Sequence, residues 1–132
     1  MKKDKKYIEL DRLQKLIYCE PLISNYRETI VDEIYHGYRY IIGFYYNHAV
    51  AYVIANKYVD TDYLYQPHGG FTYSDDLCPF DTNTNYTIGW DYGHAGDFMR
   101  FRDGHVIDGR IWSIGDITEE CKAVIDSFQM LD

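Results

Sequence analysis

His68, Asp91, His94 and Asp97 are the residues of this chain whose types and spacing could do chemistry. The last three recur at three-residue intervals in GWDYGHAGD (89–97), and His68 opens HGGFTYS (68–74). Two imidazoles with two carboxylates suit Zn²⁺ or another divalent transition metal. Both stretches carry glycines, which permit backbone paths and close approaches that other residues avoid. The four groups can converge if the two stretches are neighbouring strands whose bends lie at one end of a sheet. Cys78, in the connecting loop, is a fifth candidate donor, and a thiolate would favour zinc further. The simpler alternative is a hydrogen-bonded turn, in which Asp91 and Asp97 accept backbone N–H groups and His68 or His94 donates to a carbonyl.

The elements that must position these groups read as an α+β fold in a single domain, residues 1–132. Ile8, Leu13, Leu16 and Ile17 share a helical face, so a first helix is expected over 4–19, discouraged from continuing by Pro21. Residues 26–36 fit either a short helix or a strand. YRYIIGFYY and AVAYVIA flank Asn47-His48 and predict a β-hairpin turning at that pair. Residues 56–67 read as a polar, tyrosine-rich loop, GFTYS as a short strand, 75–85 as a surface loop and YTIGWDY as a further strand. Residues 93–104 read as loop, and HVIDGRIWS as a short strand or irregular chain. Asp116 with Glu119 resembles a capping box, and Ile117, Cys121, Val124, Ile125, Phe128 and Leu131 form the apolar stripe of a C-terminal amphipathic helix packed on a small antiparallel sheet.

Composition bounds the function. The 132 residues carry 21 acidic against 13 basic side chains, a net charge of −8, which argues against direct nucleic-acid binding. An acidic surface rich in tyrosine, of which there are 15, could instead dock on a basic groove of a protein. Three cysteines without C-x-x-C spacing suit a reducing compartment. No apolar run reaches the length of a membrane span, and the basic start lacks a signal peptide's apolar region, so a soluble cytosolic protein is expected. His36, His48 and His105 read as structural or solvated. Arg100, Arg102 and Arg110 form a basic patch near the constellation, expected to pair with the surplus carboxylates.

HGGFTYS followed by IGWDYGHAGD resembles a family of small proteins of phages and mobile elements. The family pattern reads H-G-G-L-T-Y/F-S, a variable loop, then G-F-D-x-x-H-x-G-D, with an upstream G-Y-V segment and a C-terminal amphipathic helix. AYVIA (51–55) and the helix after Gly115-Asp116 match those flanks. Phe71 and Trp90 replace leucine and phenylalanine and keep the apolar character. Tyr92 stands where cysteine is common, so no thiolate acts there. The first helix has no counterpart in the pattern. The resemblance implies a phage or prophage origin, action in the host cytoplasm, and a divalent metal on His68, Asp91, His94 and Asp97. It also suggests an inhibitor of host defence, such as an anti-CRISPR protein that blocks a Cas nuclease.

Two functions follow. In the first, zinc ties two loops together and the acidic, tyrosine-rich surface engages a host protein, its ligation energy becoming folding energy. In the second, three ligands hold a hydrolytic metal acting on a nucleotide or phosphoester. There Asp97 or Asp75 would be the base, an arginine would hold phosphate, and Thr72 or Tyr73 would orient substrate. A sponge that captures a nucleotide without cleaving it is a related option. The first is favoured, because the chain lacks both a phosphate-cradling G-K-[ST] loop and an H-E-x-x-H signature.

Overall fold

The computed structural model describes residues 9–20 and 26–128. The fold is α+β. Helix α1 (Arg12–Tyr18) precedes strands β1 (Arg27–Tyr35), β2 (Tyr38–Tyr45) and β3 (His48–Ile54), a 3₁₀ turn (Thr61–Tyr63), β4 (Tyr73–Asp75) and β5 (Thr87–Asp91). A short hairpin, β6 (Met99–Arg100) with β7 (Val106–Ile107), and helix α2 (Ile114–Phe128) complete it. The main sheet is antiparallel in the order β1-β2-β3-β5-β4. Among the described residues no helix is long and apolar enough to cross a membrane.

The uncertain stretch at 26–36 is strand β1. Its β-branched residues Thr29, Ile30, Val31 and Ile34 lose side-chain freedom in a helix and fit a pleated surface, and β2 offers them a pairing edge. Residues 21–25 lie outside the described residues. So do 1–8, which hold the expected start of the first helix. The described part of that stretch is not one continuous helix: Glu9 is helical, the chain bends at Leu10, and a new helix begins at Arg12, capped by Asp11 in a box with Gln14. The β2–β3 turn falls one residue earlier than expected: His48 already pairs with Tyr45, so it belongs to β3.

Helix α2 starts at Ile114, two residues before the expected cap. Ser113 is the cap: its Oγ accepts the Asp116 N–H at 3.0 Å, and Asp116 Oδ2 accepts the Ser113 N–H at 3.2 Å. Asp116 is therefore the acidic partner inside the first turn. Ile117, Cys121, Val124, Ile125 and Phe128 are buried against the sheet with Leu13, Leu16 and Ile17 of α1 and with Tyr40, Ile42, Ala51, Ile88 and Trp90. Each such aliphatic or aromatic side chain contributes about 1.5–3 kcal/mol by leaving water. Cys78 is buried in a smaller cluster with Ile41, Val50, Tyr52 and Ile54, packed by Phe80 and Tyr73. Burial pushes its thiol pKa up, so it is a protonated packing group there.

Arg39 pins the 75–85 loop to the sheet edge. It donates to both oxygens of Asp32 on β1, at 2.8 and 2.7 Å, and to Asp81 at 2.8 Å. These bonds hold the Asp32 carboxyl below its ordinary range, with burial opposing in part. A depressed carboxylate adds stability above its unfolded pKa, about 3.9, and that stability is lost as pH falls through the folded value. Arg39→Gln is therefore expected to flatten the stability–pH profile below about pH 4, as read by urea denaturation at a series of pH values. A profile parallel to wild type would show the pairs contribute nothing.

Candidate functional site

The two glycine-bearing stretches are neighbours: β4 pairs with β5 through Tyr73↔Gly89, Ser74↔Ile88 and Asp75↔Thr87. That register brings His68 and the 91–97 bend to the same end of the sheet. His68 Nε2 lies 2.8 Å from Asp97 Oδ2, and the His68 and His94 ring centroids are 5.6 Å apart. The donors meet in pairs rather than around one point. His94 Nε2 stands 3.1 Å from Asp91 Oδ1, buried and without the alignment of a hydrogen bond. Among the described residues no group of three histidine, cysteine or acidic side chains is arranged to hold an ion.

Asp97 is the centre of the site and is 1% exposed. Its Oδ2 accepts the His94 backbone N–H at 2.9 Å besides facing His68, and its Oδ1 accepts the Trp112 indole N–H at 2.8 Å. Two N–H donors and an imidazole nitrogen thus satisfy a carboxyl group that is almost wholly buried. Asp91 works the same way at the bend's start, accepting the Gly93 N–H and the Thr72 hydroxyl, each at 3.0 Å. The expected alternative of carboxylates closing a turn through backbone N–H groups thus holds for both aspartates. The histidines, however, face carboxylates rather than carbonyls.

Residues without an expected role complete the site. The His68 ring lies nearly parallel to Tyr92, at 5.3 Å and 8°, and 4.7 Å from Trp112. Tyr92 accepts the Trp90 indole N–H at 2.8 Å and donates to Glu120 at 2.6 Å; burial pushes its hydroxyl pKa up, helped by Glu120. Glu120 on α2 also accepts the His68 backbone N–H at 3.1 Å, so the helix grips both stretches. Residues 96–98 are crossed by the chain at Arg110, whose N–H donates to the Gly96 carbonyl and whose carbonyl accepts the Phe98 N–H. This crossing places Trp112. The only sequence signal for Glu120 is its place beside the apolar stripe of α2; Trp112 carried none.

Histidine 48 is closer to the site than a turn residue would be. Its ring packs on Gly93, and its Nδ1 lies 3.1 Å from Asn47 Oδ1. Burial holds its pKa below the ordinary value, with Asp91 and Asp97 opposing. The arginine patch is largely spent on structure. Arg100 donates to the carbonyls of Leu16, Ile17 and Glu20 at the end of α1, and among the described residues it pairs with no carboxylate, contrary to expectation. Arg110 stacks 3.7 Å over Trp112 and pairs with Asp116 at 3.2 Å. Asp75 and Arg102 are exposed.

His68 Nδ1 has no hydrogen bond among the described residues, and the side chain is 24% exposed. An imidazole oriented by a buried carboxylate can accept a proton or ligate a cation through that atom. Comparison with protein-family models, with curated proteins and with solved structures finds no match.

Proposed function

We propose that this chain is a binding protein that docks on a basic protein surface, such as the nucleic-acid groove of a host nuclease, through its acidic tyrosine loop. One observation carries this reading. Tyr58, Tyr63 and Tyr65 are 75%, 73% and 46% exposed around the 3₁₀ turn, interleaved with the exposed Asp60 and Asp62. The backbone beneath them is held. Val59 and Leu64 are buried, Asp60 caps the turn, Gln66 donates to the Thr61 and Leu64 carbonyls, and the Tyr65 N–H donates to Ser127 on α2. Tyrosines on a preorganised loop supply contact area at low entropic cost.

The test is binding to a purified, guide-loaded Cas9-type nuclease, with Tyr63→Ala and Tyr58→Ala beside wild type. Each substitution is expected to weaken binding about tenfold or more, and added salt to weaken the wild type steeply. Binding indifferent to both would overturn the docking face.

The zinc expectation takes a restricted form in this proposal. His68 and Asp97 already face each other at hydrogen-bond distance, and His94 Nε2, buried without a hydrogen bond among the described residues, is packed by Gly69, which leaves no room for an ion between them. The fold then stands without an ion: protein treated with EDTA keeps its melting temperature. A stoichiometric metal, together with a fall of more than about 5 °C on chelation, roughly 1 kcal/mol or more for a domain of this size, would restore a closed zinc site.

The half-buried His68, whose Nδ1 has no hydrogen bond among the described residues, favours hydrolysis as a second reading. Turnover of bis-p-nitrophenyl phosphate that is lost in His68→Asn and kept in Tyr63→Ala would promote it.

A further inference from the structure

A shallow pocket of about 280 Å³ opens between the 3₁₀ turn and β4, lined by Thr61, Phe71, Thr72, Tyr73 and Ser74. Its volume lies just below the roughly 300–1,000 Å³ of pockets that take small-molecule ligands, and suits one inserted side chain better than a cofactor. One hydroxyl proton among the lining residues is already committed: Thr72 Oγ1 donates to Asp91 Oδ2 at 3.0 Å. That oxygen therefore offers a guest only lone pairs, which selects a hydrogen-bond donor. Carboxylates stand on every segment that supplies a wall. Asp60 and Asp62 flank Thr61, Asp75 and Asp76 follow Ser74, and Asp91 backs Thr72. Phe71 adds an aromatic side chain to the lining, a residue type that attracts cations.

An acceptor, an aromatic side chain and surrounding negative charge match a guanidinium, which is planar, permanently charged and rich in donors. We propose that this pocket receives an arginine side chain of the protein partner. The proposal rests on the reading that the adjoining tyrosine loop is the docking face.

The experiment titrates the wild-type protein with N-acetyl-arginine methylamide, its neutral citrulline isostere and the lysine counterpart, following backbone amide shifts by NMR. Saturable shifts confined to Thr61 and residues 71–74 are expected with the arginine compound. About fivefold weaker binding or worse is expected for the other two compounds, and for the arginine compound with Phe71→Leu or Thr72→Val. Equal binding of citrulline or lysine, or unsaturable shifts spread over the acidic surface, would overturn the assignment. Should either variant misfold, the three-compound comparison on wild type still decides. If Tyr63→Ala abolishes nuclease binding while the arginine compound fails to saturate, the pocket fails and the docking face stands. The reverse result removes the docking face and leaves the pocket.

Discussion

Asp97→Ala is expected to lower the unfolding free energy by about 3–5 kcal/mol, measured by urea denaturation followed through tryptophan fluorescence. The carboxylate is 1% exposed and receives the Trp112 indole N–H, the His94 backbone N–H and His68 Nε2. Truncation leaves these donors facing a cavity, and each buried unsatisfied donor costs about 1–3 kcal/mol. Asp97→Asn separates the roles. Its amide oxygen can still accept from Trp112, and His68 can change tautomer to accept from the new NH₂. The His94 N–H then faces a donor instead of an oxygen, so about 1–2 kcal/mol is lost. A loss under about 1 kcal/mol in the alanine variant would mean that water replaces the carboxylate and that the site is not sealed.

Gly69→Ala carries the next largest effect, about 2–4 kcal/mol of destabilisation. Its φ of +72° lies in the left-handed region, where a side chain costs about 1–2 kcal/mol. A methyl group there would also stand 2.6 Å from Nε2 and Cδ2 of His94, whose ring is held between the turn and Asp91. Gly70 is the control. Its φ of +75° carries the same strain, but the nearest neighbour of a methyl would be Gln66 Oε1 at 3.9 Å. Gly70→Ala should therefore lose only the backbone cost. Adding His94→Ala to Gly69→Ala should recover the difference, so the double variant costs at least about 1 kcal/mol less than the sum of the singles. Strict additivity would show that His94 moves aside freely. These substitutions explain the glycine pair after His68: one glycine makes room for an imidazole, and both permit the turn.

Several elements were legible because their hydrophobic period is strong. The hairpin of β2 and β3 is rich in aromatic and β-branched residues, and the stripe from Ile117 to Phe128 recurs at helical spacing. Strand β1 was not, since Ile30, Val31 and Ile34 satisfy both periods and only pairing with β2 decides between them. The cap of α2 was misplaced because Ser113 and Asp116 bond each other reciprocally, and the acid looks like the cap when the serine is overlooked.

The residue types at 68, 91, 94 and 97, and their spacing around glycines, are properties of the chain alone. They limited the chemistry to carboxylate–imidazole contacts in a tight bend. Which carboxylate meets which imidazole was decided in three dimensions, by the β4–β5 register, by Glu120 reaching from α2 and by the chain crossing at Arg110 that brings Trp112 to Asp97. Local spacing specifies what a segment can offer. Pairing across gaps of 15 to 52 residues depends on the packing of whole elements, and no short stretch encodes it.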